Sequence, residues 1–340
     1  MRNLSTRFVV GAAAIALLAA ACSGGEEAAA PAVETESVAV DGAVETSSNT
    51  FDEAVAAIEA AVDAAEASSG PGEPAIWSLS DEDTTVYLFG TIHLLRPETE
   101  WRTEAFDEAF GAADTLVLEV DATSPEAQAE TARLMPALGL FTDGQTLTGV
   151  LNDEEEAIVA EAASKFGIQL NGVNQLKPWL VSLQLGLTQI QSEGYDPNSG
   201  LELILTNEAQ ASGKTFGYLE TLEDQLQALG GAPIEDQVDG LIFTARTIES
   251  GAEMLDTLVS EWSDGDVDGL GVLIAEPAMM GSDAGYEALL VNRNRNWVPQ
   301  IKAMLDEPGV KFVAVGAAHL AGPDSVVTML RDEGLTVEGP

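Results

Sequence analysis

Apolar and polar positions along this chain change period several times, and the changes divide it into elements. "AIWSLS" and "TVYLFG" alternate around the acidic turn "DEDT", which predicts an antiparallel strand pair. "TLVLEV", ending in Glu119-Val120-Asp121, reads as a third strand, "KTFGYLE" as a short fourth, "KFVAVG" as a fifth and "LTVE" as a closing strand. Between them the period is helical. A helix is expected over Thr103–Ala113, and helical pattern fills Ser124 to about Thr206. One of those helices opens at Asn152/Asp153 with glutamates in its first turn, where the helix dipole favours them, and ends at Gly167. "LKPWLVSLQLGLTQIQ" and "GLELILTNEAQASG" follow, the second closing on Gly213. The pattern is mostly helical again from Ile234 to about Met304, and "DSVVTMLRDEG" is a last helix. Strands cluster at both ends and helices fill the middle. The expected class is α/β (α+β), a mixed central sheet with a large helical insertion at about 124–304.

The two ends repeat one another. "VYLFGTIHLL" with its following helix and "TLVLEV" matches "FVAVGAAHLA" with its following helix and "LTVE". Each is strand, Gly-x-x-His, helix, strand, so the fold is expected to be built from two related halves. His93 and His319 are the only histidines in the 340 residues. The repeat brings both to one edge of a shared sheet, beyond the carboxyl ends of the strands, where open α/β sheets bind ligands. Gly90 and Gly316 let the chain turn sharply beside whatever the histidines hold.

The N-terminus belongs to a different regime. "MRNLSTRFVVGAAAIALLAAACSGG" has Arg2 and Arg7, an apolar run of about fourteen residues and then small residues, the pattern of a secretory signal over residues 1–21. That run is short for a membrane span. The single cysteine, Cys22, follows Leu18-Ala19-Ala20-Ala21, similar to a bacterial lipobox with its leucine one position early. Cys22 is therefore the expected lipidation site. An ordinary signal peptide with an incidental cysteine is the alternative. Ser23 rather than Asp after it favours a periplasm-facing lipoprotein of the outer membrane. Residues 22–74 read as an acidic, low-complexity tether, whose later part, "FDEAVAAIEAAVDAAEASSG", has the propensity of a loosely docked helix. The folded domain is expected over 75–340.

With 57 Asp and Glu against 14 Lys and Arg, the formal net charge is −43, which repels nucleic acid and leaves the lipid anchor as the one expected membrane contact. One cysteine excludes an intrachain disulfide framework and a thiolate metal cluster. There is no nucleophile elbow, His-Glu-x-x-His helix, phosphate loop or dinucleotide fingerprint.

Two imidazoles alone make a weak metal site, so carboxylates are expected to complete it. Glu119 ends an apolar strand in the same half as His93, and Glu220 ends "FGYLE" in a similar way. Asp196 and Glu202 in "GYDPNSGLE" are further candidates, although turn chemistry also accounts for Asp196. In "LLVNRNRNWVPQI", residues Leu289, Arg293, Trp297, Ile301 and Leu305 share one helical stripe that is apolar except for Arg293. A guanidinium facing the core needs carboxylates or a substrate anion, so Arg293 is expected to hold Glu119 or Glu220, or to bind a substrate oxyanion. Asn294 is a candidate polar neighbour, Arg295 is expected in solvent, and Pro299 is expected to bend or interrupt the helix. Lys177 and Trp179 in "LKPWL" line either a cleft or the core.

Taken together, "YLFGTIHLL", "LVLEVD", "LKPW", "GYDPNSGLE", "GYLETLEDQL", "LLVNRNRNW" and "VAVGAAHLAGPDSVVTMLRDEGLTVE" resemble, in order, the TraB/GumN family, which includes the Tiki metalloproteases. The resemblance covers about Ile76 to Glu338. It implies a fold distantly like the erythromycin-esterase and ChaN-like proteins, with His93, Glu119 and His319 as the central site and Arg293 beside them. It also implies a divalent metal, manganese or cobalt before zinc or iron, and points to haem as the alternative ligand. Two functional expectations follow. One is a metal-dependent, peptidase-like hydrolase in which Glu119 takes a proton from bound water and Arg293 steadies the oxyanion, acting on a peptide or small molecule. The other is a non-catalytic envelope lipoprotein that binds haem, metal or peptide, for which Met279 and Met280 in "EPAMMG" are a hint. A purely structural use of the site is a third reading. Pairing of the halves within one chain or across a homodimer stays open.

Overall fold

The computed structural model describes residues 45–276 and 282–340, with side chains from Phe51 onward. The signal segment, Cys22 and Met279–Met280 lie outside the described residues.

Strands β1 (Ile76–Ser80), β2 (Thr84–Thr91), β3 (Thr115–Leu118), β4 (Thr215–Tyr218) and β5 (Gly309–Gly316) form one sheet in the order β1-β2-β5-β3-β4. β1 and β2 are the expected hairpin, paired Trp77 to Leu88. Asp81 closes its turn by accepting from the Asp83 and Thr84 amides, the self-bonding that suits aspartate to turns. β5 lies between β2 and β3, parallel to both, and β4 continues the parallel set at the edge. A strand packed on both faces should be apolar throughout, and Phe312, Val313, Ala314 and Val315 are all buried. Alternate residues feed two cores. Phe89, Leu116 and Phe312 meet Phe106 and Phe110 on one face, while Leu88, Val117 and Val313 meet Trp297, Ile301 and Leu330 on the other.

The main helices are α1 (Glu45–Ala65), α2 (Glu104–Ala112), α3 (Pro125–Leu138), α4 (Asp153–Lys165), α5 (Pro178–Ser192), α6 (Leu201–Ser212), α7 (Leu222–Gly230), α8 (Ile234–Arg246), α9 (Gly251–Asp264), α10 (Val267–Ala275), α11 (Asn292–Ala303) and α12 (Val326–Asp332). Helix starts follow their caps. Thr103 caps α2, and Asn152 with Glu155 forms a capping box on α4. Gly213 ends α6 in the left-handed conformation. The insertion has its own core around Val159, Leu185 and Leu241. Among the described residues, no helix is long and apolar enough to cross a membrane.

One detail follows expectation and two differ. The Ala/Glu run at the end of the tether is the docked helix α1, because Ile58, Ala61 and Ala65 recur on one face and are buried against Phe243 and Leu273. The closing strand "LTVE" shrinks to a single antiparallel bridge from Glu338 to Ser78. Gly339, at φ +128°, then turns the chain out of extended geometry. The halves therefore repeat as strand, turn and helix, without a full second closing strand. Finally, α11 runs through Pro299 uninterrupted. The irregularity is a π-helical turn, Glu287–Val291, immediately before Arg293, a feature often found at functional sites.

Candidate functional site

β2 and β5 run side by side in parallel, so their Gly-x-x-His turns emerge together. The two turns pack directly: a Cβ on Gly90 would lie 2.9 Å from Ala317 Cα, so only glycine permits this approach. Both histidines are buried, His319 completely. Glu119 follows β3, Glu220 follows β4, and Arg293 comes from the first turn of α11. The sheet edge thus gathers His93, His319, Glu119, Glu220 and Arg293, as the repeat and the apolar stripe implied.

Arg293 is the hub. Its Nε and Nη2 donate to Glu220 at 3.0 and 2.7 Å, and Nη2 donates to Glu119 Oε2 at 2.5 Å. Nη1 donates to the Leu289 carbonyl at 3.0 Å and to His319 Nε2 at 3.1 Å. The guanidinium lies 4.8 Å from the Trp297 ring centroid. Burial disfavours its charge, but Glu119 and Glu220 more than reverse this, and its pKa rises.

Glu119 is anchored at both oxygens. Oε1 accepts from the Gly316 amide at 2.6 Å, so this glycine contributes its N–H to the site. Burial opposes ionisation of Glu119, yet Arg293, the two imidazoles and the Gly316 amide outweigh it and hold the carboxyl at about 2. Glu220 moves the other way. Burial raises it, and Glu119 adds to this against the pull of Arg293.

Each imidazole is held from behind through Nδ1. His319 Nδ1 lies 2.6 Å from Asn294 Oδ1, and Asn294 Nδ2 donates to the Asp324 carbonyl at 2.8 Å. That second bond fixes the amide orientation, assigns the proton to His319 Nδ1 and leaves Nε2 as the lone pair facing Arg293. Burial first, and Arg293 second, depress His319 to about 3, so it is neutral at ordinary pH. Trp297 packs on its ring at 4.3 Å between centroids.

His93 Nδ1 lies 2.8 Å from Glu202 Oε1. The contact is an ion pair, and among the described residues the buried Nε2 has no hydrogen-bond partner. Burial lowers the His93 pKa, but Glu202 and then Glu119 raise it by more in sum. Glu202 sits in the first turn of α6 and also accepts from Thr91 Oγ1. The Leu201 amide donates to the Ile92 carbonyl at 3.1 Å, and a Cβ on Gly200 would collide with the His93 carbonyl. Gly200 is thus a site residue that the sequence reading missed; its place in "NSGLE" looks like plain turn chemistry. Gln225 of α7, 3.5 Å from Glu119 Oε2, was also missed, since nothing marks one glutamine on a helix.

Other candidates fall elsewhere. Asp196 spends its carboxylate on the Asn198 amide and side chain, 2.8 Å each, while its own amide donates to the Leu95 carbonyl. It shapes the turn beside His93 and is not gathered into the hub. Trp179 is core, Lys177 donates to the Ala137 carbonyl at 2.8 Å, and Arg295 is exposed against Glu287.

Three carboxylates therefore face one guanidinium and two imidazoles, one of them firmly neutral. The donor chemistry fits a divalent cation. His93 Nε2 is buried and unpartnered, both Nδ1 atoms are tied to orienting groups, as ligating histidines generally are, and negative charge is in excess. The ligands are not yet in coordination positions: His319 Nε2 stands 3.8 Å from Glu119 Oε1, with Arg293 on both residues. Among the described residues no group of three His, Cys, Asp or Glu side chains stands ready to hold a metal.

Known proteins show the chain's kinship. The chain is 24% identical to the uncharacterized protein YbaP of Escherichia coli (strain K12) over 248 residues, 72% of this chain and 87% of that protein. It is 24% identical to the metalloprotease TIKI2 of Danio rerio over 308 residues, covering 74% of this chain and 58% of TIKI2. The metalloprotease TIKI1 of Homo sapiens is 22% identical over 318 residues, 77% of this chain and 61% of TIKI1. No solved structure matches it significantly. The TraB/PrgY/gumN family model matches residues 75–339, all five strands and both histidine turns included, and the chain belongs to that family.

Proposed function

We propose that this chain is a metal-dependent hydrolase of peptide-type substrates, with His93, His319 and Glu119 as the metal-holding residues. The observation that carries the reading is the partnerless, buried His93 Nε2 within a cluster rich in carboxylate. The kinship to TIKI metalloproteases supports the class of chemistry. A divalent transition metal, when bound, supplies a Lewis acid and a water of lowered pKa.

The chain's own groups have separable tasks in this reading. Glu202 and Asn294 keep the Nδ1 sides occupied, so that both Nε2 lone pairs face the centre. Glu119, held at about 2, is a poor proton acceptor at neutral pH and suits a ligand. This departs from the expectation that Glu119 is the base. Glu220, whose pKa is raised, is the better-matched acceptor. Arg293 has every N–H committed. The Nη1 hydrogen now spent on His319 is the donor freed for a substrate carbonyl oxygen once His319 ligates.

The test is cleavage of a peptide mixture by the purified mature protein, read by mass spectrometry. Hydrolysis is expected to stop with chelator, return with manganese or cobalt, and be absent in His93→Ala. Cleavage that survives both chelator and His93→Ala refutes the assignment.

A further inference from the structure

A second concentration of carboxylates lies where α1, α9 and α10 meet, away from the histidines. Glu261, in the last turn of α9, is 7% exposed, and Asp266, which caps α10, is 4% exposed. Asp266 Oδ1 accepts from the Gly269 amide at 2.8 Å, but among the described residues the buried Oδ2 has no hydrogen-bond partner. Gly269 leaves a cradle lined with oxygen. A Cβ placed there would stand 2.6 Å from Glu261 Oε2, 3.2 Å from Asp266 Cγ and 3.2 Å from the Ala65 carbonyl oxygen, which already accepts from the Ser68 amide and hydroxyl. Glu261 also borders a surface cleft lined by Glu66, Ser68, Glu100 and Asp264, with neither lysine nor arginine among its lining residues. Burial first, then Asp266, Asp264 and Glu66, push Glu261 above the usual carboxylate range.

We propose that Glu261 and Asp266, with the Ala65 carbonyl oxygen beside them, form a binding site for a hard divalent cation of the calcium class. The donors are all oxygen, with no imidazole or thiolate, which selects calcium over the transition metals. α1 and α9 both end here, and the partial negative charge of their two C-termini is set against the single N-terminus of α10 that Asp266 caps. The site has a structural consequence particular to this chain. α1 precedes the matched residues 75–339, and its linker is clamped to the same turn, Gly70 N donating to Asp264 Oδ2 at 2.6 Å and Gly72 N to the Asp264 carbonyl at 2.8 Å. A bound cation latches α1 and this linker onto the family domain.

The test is calcium binding by the full mature protein, measured by equilibrium dialysis in about 0.5 M potassium chloride to screen the acidic surface. One saturable site is expected, with Kd on the order of 0.1–1 mM, as in the weaker built calcium sites. Asp266→Asn keeps a competent helix cap but removes the ligand charge, and Gly269→Ala fills the cradle without changing charge. Each is expected to weaken binding about tenfold or more, whereas His93→Ala leaves it unchanged. Calcium is also expected to slow amide exchange in α1. Absence of a saturable site, or wild-type binding by both variants, overturns the proposal. So does a melting temperature that depends on pH but not on calcium, which indicates a proton shared between Glu261 and Asp266.

Discussion

Replacing Arg293 with methionine keeps the apolar stem and removes the one guanidinium that faces Glu119 and Glu220. Both carboxylates are then buried without a counter-charge. Breaking a buried ion pair from one side costs about 3–5 kcal/mol. The position of Glu119 gives an independent figure. Its pKa drops from an ordinary 4.5 to about 2, a difference worth on the order of 3 kcal/mol at neutral pH, much of it owed to Arg293. At ~2–4 °C per kcal/mol for a chain of this size, melting should fall by about 10 °C. The loss has a defined pH dependence. Because the folded-state pKa of Glu119 is depressed, its stabilisation is fully present above 4.5 and disappears as pH falls towards 2. Arg293→Met lacks that contribution, so the gap between variant and wild type is widest near neutrality and narrows as the medium becomes acidic. Urea denaturation of both proteins at pH 7 and near pH 4 measures it. Adding Glu119→Gln and Glu220→Gln to the variant should recover much of the loss, since no buried charge is then left alone. A difference below about 1 kcal/mol at pH 7, or one that does not change with pH, refutes the view of Arg293 as the counter-charge.

The two histidines permit a direct titration by NMR, since each gives its own ring signals. His319 should stay neutral between pH 8 and 4, whereas His93 should titrate with a midpoint above the ordinary imidazole value of 6.5; Glu202→Gln should lower that midpoint. Asn294→Ala should weaken metal binding about 10- to 100-fold by freeing the His319 ring, with a stability loss of about 1–3 kcal/mol for the buried groups left unpaired, checked by metal titration and urea denaturation. Gly200→Ala, whose methyl meets the His93 carbonyl, should abolish hydrolysis while circular dichroism still reports a folded chain. Cys22→Ser should move the protein from the detergent phase to the aqueous phase in a two-phase partition; no shift contradicts lipid anchoring there.

Much of the site could be read from local pattern. His93 and His319 stood out because they are the chain's only histidines and occupy matching turns. Glu119 stood out as the charge ending an apolar strand, and Arg293 as the one cation on an apolar helical stripe. What stayed hidden was pairing between distant segments. Nothing local says that Glu202 backs His93, that Asn294 backs His319, or that the Gly316 amide serves Glu119. Asp196 and Glu202 looked equivalent, yet one closes a turn while the other, on the next helix, reaches the histidine. The sheet was anticipated from its apolar runs, except where tertiary context overruled them. "LTVE" carries strand propensity but meets only Ser78 before Gly339 turns away. The Ala/Glu run of α1 has only a few spaced large apolar residues, Phe51 and Ile58 among them, and its docking depends on Phe243 and Leu273, far along the chain.

The central claim is that His93 and His319 jointly hold one divalent metal. Zinc, a diamagnetic probe, titrated into protein with labelled histidine rings tests it most directly. The account predicts that both sets of ring signals shift together and are complete at one equivalent, with Glu119→Gln requiring more metal. If either histidine is unmoved at saturation, the shared site does not exist.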